Sequence, residues 1–267
     1  MEVLSRMIHD VMEYFGLTKE FRNSGYFETE NYKQVFLDLK AAIKSGHIIA
    51  LTGIVGSGKT VTIRRIKEEL IKQNEILVSS NLTVEKHKVN LSTLINVLFS
   101  DLITDKNYKI PTKLEIRERQ LRDLIKSRKK PVALFIDEAH ELHNKTLVGL
   151  KRLVEVVQEA NSILSIVLAG HPKLHIDLNK PSMEEIGART TVIKLEGIRG
   201  AEKGYIDWLF DQCLKEGVKP EKVFTERAMN LMSEKFSTPM QINSYAWKSL
   251  VEGHLIGQKP VDIDIIK

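Results

Sequence analysis

The sequence predicts an α/β protein with a mostly parallel five-stranded sheet, followed by a small all-helical domain. Two observations predict this class. Apolar runs of strand length alternate with amphipathic helical patterns from about residue 30, and the strand signal stops after Leu195. Strands separated by helices form parallel sheets that are covered on both faces. The length of 267 residues suits one large domain with an appendage and leaves no room for two full nucleotide-binding domains.

The elements follow each other along the chain. Apolar residues at helical spacing over residues 32–43 predict a helix that ends at Gly46, because glycine often follows the last helical turn. The predicted strands are residues 48–51, 76–79, 132–136, 163–168 and 191–195. The later predicted helices are 60–73, 91–102, 113–129, 147–157 with Asn144 as cap, 202–216, 225–236 and 239–254. We therefore expect an N-terminal helical segment at 1–45, an α/β core at 46–197 and a helical lid at 198–267.

The composition indicates the cellular compartment and the classes of binding partner. A net charge of +5 permits nucleic acid as a partner without requiring it. The one cysteine, Cys213, excludes an intramolecular disulfide and fits a reducing cytosol. The longest apolar runs are of strand length, and charged residues interrupt the N-terminus where a signal peptide would be apolar. We expect a cytoplasmic protein without membrane insertion.

Residues 53–60 read Gly-Ile-Val-Gly-Ser-Gly-Lys-Thr and fit the pattern G-x-x-x-x-G-K-[ST] between a strand and a helix. Glycines let backbone N–H groups close around phosphate oxygens, and the helix N-terminus adds positive potential. Lys59 is expected to reach the β- and γ-phosphates, and the Thr60 hydroxyl to ligate Mg²⁺. The sequence thus predicts a site for ATP and Mg²⁺. Its predicted nucleotide-binding residues are Gly53, Val55, Gly56, Ser57, Gly58, Lys59, Thr60 and Val61.

Asp137 and Glu138 follow a buried apolar strand, so they are expected at the carboxyl edge of the sheet, where open parallel sheets bind ligands. Asp137 is predicted to hold Mg²⁺, mostly through water, and Glu138 to activate the attacking water as general base. Either acid alone also fits a helix N-cap. Residues 137–140 spell the DEAH box of helicases, but helicases need two tandem nucleotide-binding domains, which the length disfavours.

The order of P-loop, Asp-Glu strand, later strand and helical tail resembles the AAA+ ATPases. Within them the chain resembles the bacterial group that joins ExeA-type secretion ATPases to transposon-encoded ATPases such as Mu B, TniB and TnsC. The resemblance covers about residues 13–260. It rests on the P-loop with its preceding Leu51-Thr52 and on segments 14–17, 135–140 and 166–174. It implies a three-layer α/β sandwich followed by a helical lid.

The resemblance also implies site residues. His171, after the predicted fourth strand, takes the sensor 1 position that feels the γ-phosphate, unless it is only a loop histidine before Pro172. Arg189 aligns with the arginine finger that acts on the neighbouring subunit's ATP; the alternative is a surface arginine flanking a strand. Tyr26 and Phe27 lie in the region that flanks the adenine, with core packing as the alternative.

The tail departs from the pattern of these families. Related lids carry a Pro-Arg pair whose arginine is sensor 2, whereas Met240 follows Pro239 here. A thioether cannot replace a guanidinium on phosphate. Either Gln241 or Lys248 takes over that role, or sensor 2 is absent and turnover is slow.

A basic segment spans residues 106–130, and residues 86–88 add a second basic loop, Lys-His-Lys. Apolar residues bury one side of the predicted helix 113–129, so a solvated amphipathic helix is one interpretation. In the transposon ATPases, such segments of a ring or helical filament grip duplex DNA through its phosphates, without reading sequence. The candidate DNA-contacting residues are Lys106, Lys109, Lys113, Arg117 and Arg119.

These expectations combine into one function with two rivals. We expect an ATPase that forms homo-oligomers on double-stranded DNA with ATP and regulates DNA transposition with a transposase and a further transposition protein. Hydrolysis is expected to drive disassembly. The rivals are an ExeA-like secretion ATPase, which usually carries a membrane span and a cell-wall-binding module, and a nucleotide-dependent scaffold with little hydrolysis.

Overall fold

The computed structural model of the chain describes residues 2–80, 89–105 and 108–265. Contacts divide the chain into two compact units. The helical unit comprises Met1–Glu30, Val55–Gly58 and Glu196–Lys267, and the α/β unit comprises Asn31–Ile54 and Lys59–Leu195. The division at 1–45, 46–197 and 198–267 stays a prediction.

The α/β unit contains one sheet of five strands, which pair in parallel throughout in the order β2-β3-β4-β1-β5. This confirms the predicted fold class. The strands are β1 Ile48–Thr52, β2 Leu77–Ser80, β3 Val132–Ile136, β4 Leu164–Gly170 and β5 Thr190–Lys194. The α-helices of this part of the chain are α2 Glu30–Lys44, α3 Lys59–Gln73, α4 Leu91–Leu102, α5 Leu114–Arg128, α6 Asn144–Glu159, α7 Lys173–Leu178 and α8 Glu184–Gly187.

The central strands are buried on both faces, which explains their continuous apolar runs. In β3, Leu134 and Ile136 pack in a core cluster with residues of α4, α5 and α6, while the alternate residues Ala133 and Phe135 are buried as well. Helix α3 contacts β2 and β4. Helices therefore cover the sheet as the outer layers of a three-layer sandwich.

The parallel register decides which loops meet. Thr52 at the end of β1 lies opposite Gly170 at the end of β4, and Ile136 at the end of β3 lies opposite Leu168. The segments that follow β1, β3 and β4 therefore leave the sheet at one edge, its carboxyl edge. Arg189 precedes β5, whose first residue lies opposite Ile48, so Arg189 belongs to the other edge.

One predicted helix cap is wrong by one residue. Asn144 is the first residue of α6, and the N-cap is His143, whose Nδ1 accepts a hydrogen bond from the backbone N–H of Lys145 at 3.3 Å. A histidine ring nitrogen replaces the oxygen that an N-cap side chain usually supplies. Histidine is uncommon at this position, which is why the sequence favoured the asparagine beside it.

The helical unit is built from α1 Glu2–Phe15, α9 Glu202–Cys213, α10 Glu226–Lys235 and α11 Pro239–Ile256. Its interior includes the buried rings of Phe21, Phe210 and Phe224, which contact each other in sequence at 5.9 and 5.8 Å between centroids. Cys213 is a buried free thiol, and burial raises its pKa to about 11. In the part of the chain that the structure describes, no helix has both the length and the apolar character to cross a membrane.

Candidate active site

The P-loop connects β1 to α3 through a backbone that needs glycine. Gly56 and Gly58 have φ angles of 80° and 95°, in the region that side-chain-bearing residues rarely adopt. The backbone N–H of Gly53 donates to the carbonyl of Gly170 at 3.3 Å, which fixes the start of the loop to the end of β4. Helix α3 then begins at Lys59. The loop therefore leads into a helix N-terminus, the arrangement that binds phosphate through backbone N–H groups.

Lys59 is buried and held by the loop that precedes it. Its Nζ donates to the carbonyl oxygens of Gly53 at 2.8 Å and Ile54 at 3.0 Å. Burial lowers the pKa of Lys59, because a low-dielectric environment disfavours the ammonium, while the negative charges of Glu138 and Asp137 act in the opposite direction. The ammonium thus lies close to two carboxylates and inside the phosphate loop.

Thr60 and Asp137 meet although 77 residues separate them. The hydroxyl of Thr60 donates to Oδ2 of Asp137 at 2.8 Å, and Oδ1 of Asp137 accepts the backbone N–H of Glu138 at 2.9 Å. A hydroxyl and a carboxylate oxygen are the kind of donors that Mg²⁺ prefers. The residues present therefore fit a magnesium ion held beside the P-loop.

Glu138 follows Asp137 in an unusual backbone conformation. Its φ of 55° and ψ of 35° place it in the left-handed region, which costs energy for a residue with a side chain. The carboxylate is half exposed, with 50% of the side chain accessible. Such strain concentrates at functional sites, where the surrounding structure fixes a residue in one orientation.

Two histidines contact each other at this edge of the sheet, and one of them, His140, lies beside Glu138. The exposed His171 follows β4, and its backbone N–H donates to Nδ1 of His140 at 3.3 Å. The two rings are 6.0 Å apart between centroids. Nδ1 of His140 is also 3.4 Å from Oε2 of Glu138. Sequence reasoning placed His171 at this edge but gave His140 no role, although residues 137–140 contain it.

Within one chain the structure does not bring Arg189 to the other predicted catalytic residues. Arg189 forms an ion pair with Glu155 of α6 at the amino edge of the sheet, and Lys151 contacts Glu155 at 3.5 Å and Glu185 at 2.8 Å. The guanidinium is largely exposed, with 59% of the side chain accessible. Its surroundings are those of a surface arginine held by an ion pair.

The tip of the P-loop, residues 55–58, packs within the helical unit. A Cβ on Gly56 would lie 2.6 Å from Cβ of Met240 and 3.0 Å from Oγ1 of Thr238, so Met240 packs directly on the phosphate loop. Ser57 is buried. The residue at the sensor 2 position therefore meets the P-loop with an apolar side chain.

The two suggested substitutes for sensor 2 have other contacts. Oε1 of Gln241 accepts the backbone N–H of Ser237 at 3.3 Å, and Nζ of Lys248 lies 5.5 Å from the ring centroid of Tyr245. Helix α11 begins at Pro239, so Gln241 lies in its first turn. Gln241 thus contributes to the start of α11, and Lys248 lies about two turns further along.

Phe27 joins an aromatic cluster, with its ring 5.4 Å from those of both Tyr205 and Trp208. This is the packing alternative for Phe27. The neighbouring Tyr26 is half-buried in the same unit. Tyr205 itself is buried, and burial raises its pKa to about 12.

The candidate DNA-contacting residues differ in their exposure. Lys109, Lys113 and Arg119 are exposed on or just before α5. Arg117 is turned to the protein, where its guanidinium donates to Ser92 Oγ, Asn96 Oδ1 and the carbonyl of Thr112 at 2.8, 2.9 and 3.0 Å. Lys106 and the basic loop at residues 86–88 lie outside the described residues.

Comparison with known proteins identifies relatives of this fold. Residues 42–176, just over half of the chain, match the family model described as AAA domain. A stretch of 185 residues is 25% identical to General secretion pathway protein A of Aeromonas hydrophila, and covers 67% of this chain but only 33% of that protein.

Solved structures are similar over nearly the whole chain. Cdc6p from Pyrobaculum aerophilum has a TM-score of 0.60 at 16% identity, over 94% of this chain and 68% of that one. Drosophila ORC bound to DNA has a TM-score of 0.62 at 13% identity, over 97% of this chain and 64% of that one. At such identities the likeness shows the fold.

Replacing Lys59 with alanine is expected to weaken ATP binding by about 10- to 100-fold, because one charged hydrogen-bond donor to phosphate is lost. Lys72→Ala, at the exposed end of the same helix α3, is the matched control and leaves the affinity unchanged. Isothermal titration with ATP and Mg²⁺ measures both. Equal affinities for the two variants would contradict the role of Lys59.

Proposed function

The chain belongs to the AAA domain family, and from that premise we propose that it is an AAA+ ATPase that binds ATP with Mg²⁺ and hydrolyses it. The observation that carries the proposal is the Thr60–Asp137 hydrogen bond of 2.8 Å at the edge where Lys59 and Glu138 also lie. A phosphate loop, a buried lysine and two carboxylates at one edge of a parallel sheet support phosphoryl chemistry.

Each residue has a part in the proposed reaction. Lys59 and the backbone N–H groups of the P-loop hold the β- and γ-phosphates. Thr60 and Asp137 would hold Mg²⁺, which when bound would supply positive charge to the phosphate oxygens. Glu138 orients the attacking water and accepts its proton while the water oxygen bonds to phosphorus and the bond to ADP breaks. The products are ADP and phosphate.

The surroundings of the P-loop support slow hydrolysis. Met240 packs on Gly56, and a thioether gives no charge to the transition state. We place sensor 1 at His171 and assign no residue to sensor 2. An ATPase with this site acts as a switch, in which bound ATP defines one state and hydrolysis ends it. The same feature favours a scaffold that hardly hydrolyses ATP as a second candidate.

Arg189 supports assembly of several copies. It lies at the amino edge of the sheet, opposite to the carboxyl edge that holds Lys59, so we propose that it acts on the ATP of a neighbouring subunit. In a homo-oligomer, either a ring or a helical filament, Arg189 of each subunit would meet the ATP of the next subunit. The ion pair with Glu155 is exposed and worth about 0–1 kcal/mol, so a phosphate can displace it.

We further propose that the assembly binds double-stranded DNA without sequence preference and regulates transposition together with a transposase and a further transposition protein. Exposed Lys109, Lys113 and Arg119 support the DNA part, because exposed cations are free to contact the phosphate backbone. Drosophila ORC, which has a similar fold, was solved bound to DNA. The likeness of the sequence motifs to transposon-encoded ATPases supports the transposition part.

Secretion is the rival function, and the similarity to General secretion pathway protein A favours it. The chain spans about a third of that relative, so the similarity concerns only a part of it. ATP-dependent DNA binding discriminates the two functions, since the proposed regulator needs it and a secretion ATPase does not.

Replacing Glu138 with glutamine is expected to lower ATP turnover by about 100-fold or more while ATP still binds, because an amide cannot accept the proton of the attacking water. The variant is expected to stay assembled with ATP under conditions where the wild type dissociates. Glu159→Gln, at the exposed end of α6, is the control. Turnover and sedimentation velocity are measured in parallel, and an assembly no more stable than the wild type would contradict hydrolysis-driven disassembly.

The triple variant Lys109→Ala, Lys113→Ala, Arg119→Ala is expected to weaken binding to random duplex DNA and to reduce the slope of log K against log salt by about three units, one for each lost phosphate contact. The matched control replaces three exposed lysines of the helical unit, Lys203, Lys215 and Lys219. Fluorescence anisotropy across a salt series with and without ATP measures the effect. Wild-type protein that shows no ATP-dependent binding at low salt would favour the secretion or scaffold function.

A further inference from the structure

We propose that His140 is a positioning residue for Glu138, and that its Nδ1 serves either the carboxylate of Glu138 or the backbone N–H of His171 at the end of β4, but not both at once. The inference rests on the proposed hydrolysis, in which Glu138 is the general base. It adds a residue to that site and a route by which the His171 loop influences the base.

The contacts of the imidazole carry the inference. Nδ1 of His140 is 3.4 Å from Oε2 of Glu138 and accepts the backbone N–H of His171 at 3.3 Å. Nε2 of the same ring is 3.4 Å from Oε1 of Glu141. One ring therefore touches the proposed base, the residue at the sensor 1 position and a second carboxylate, that of Glu141.

The two neighbours of Nδ1 require opposite states of that nitrogen. A backbone N–H can only donate, so the contact with His171 requires Nδ1 without a proton. A neutral imidazole then carries its proton on Nε2, where it points to Glu141. In this tautomer Nδ1 presents a lone pair to the Glu138 carboxylate. No hydrogen bond forms between them, because both atoms are acceptors. With the proton on Nδ1, Glu138 gains a donor and the N–H of His171 loses its acceptor.

The ring has little room to move away from these partners. Its side chain is only 17% exposed. A Cβ on Gly170 would lie 3.2 Å from the backbone nitrogen of His140 and 3.3 Å from Nδ1, so β4 approaches the ring where it has no side chain. The burial of the ring and its close approach to Gly170 leave the tautomer as the property that can change.

A signal path follows from this arrangement. The observed contact with the His171 amide keeps Nδ1 unprotonated, so His140 offers no donor to Glu138. When the His171 backbone N–H leaves Nδ1, Nε2 releases its proton to water and Nδ1 takes up a proton from water, so that the net charge of the ring is unchanged. The Nδ1–H group then donates to Glu138 and orients it for the attacking water. His140 thus makes the orientation of the general base depend on the position of the His171 loop.

The direct test compares His140→Ala with His140→Gln. The alanine variant is expected to lower kcat for ATP about tenfold, less than removal of the base itself, with KM and the Kd for ATP within about twofold of the wild type. Glutamine carries both a donor and an acceptor, so it is expected to recover most of the lost kcat. His143→Ala, an exposed histidine of the same segment, is the control and leaves kcat unchanged. An unchanged kcat in His140→Ala, or an equal loss in the glutamine variant, would overturn the assignment.

A second variant keeps the buried ring in place. Glu141→Gln removes the negative charge that favours the proton on Nε2, so the proton moves toward Nδ1 and kcat is expected to rise about 1.5- to 5-fold. An unchanged or lower kcat contradicts the two-tautomer description. This variant decides the question if His140→Ala does not fold, which thermal unfolding of each protein reveals.

Glu138→Gln, assayed beside these variants, separates the two proposals. If Glu138→Gln keeps wild-type turnover, the general base is wrong and the role of His140 falls with it. If Glu138→Gln abolishes turnover while His140→Ala leaves kcat unchanged, the proposed function stands and only the positioning role is overturned.

Discussion

The hydrogen bond between Thr60 and Asp137 is the contact on which the candidate site depends, because it joins the first turn of α3 to the end of β3 across the intervening strand β4. The bond forms only because β1, β3 and β4 run parallel and end at the same edge. Buried apolar strands supply the free energy that holds this register, and the polar residues at its edge contribute function at some cost in stability. The desolvated ammonium of Lys59 and the left-handed backbone of Glu138 are two such costs.

We propose that the site is incomplete within one chain. Its phosphate loop, lysine and carboxylates are in place, whereas Met240 supplies no charge and Arg189 lies at the opposite edge of the sheet. We expect a single subunit with this site to hydrolyse ATP slowly, and an assembled subunit to hydrolyse it faster because its neighbour contributes a guanidinium. Dependence on a neighbour ties the chemical step to assembly, which is the property that an ATP-gated switch on a DNA lattice requires.

Much of this arrangement could be predicted from the sequence, for identifiable reasons. The five strands were predicted to within about two residues because buried parallel strands are continuous apolar runs, and the P-loop because its glycines follow a strict spacing. The strand order β2-β3-β4-β1-β5 could not be predicted from the sequence, because strand pairing joins segments that are far apart in the chain. For the same reason the contact of His140 with the end of β4 could not be foreseen, nor the bonds that turn Arg117 to α4. The cap at His143 was missed because local propensity favours asparagine.

The claim that the site is completed by a neighbouring subunit has one direct measurement, the specific ATPase activity per subunit as a function of protein concentration, with duplex DNA present. We expect activity per subunit to rise with concentration and then to level off as assembly saturates. We also expect the wild type to lose activity when Arg189→Ala subunits are mixed in, in proportion to the arginines removed. Activity per subunit that stays constant from high dilution to saturation, and does not fall on mixing, would contradict completion of the site by a neighbour.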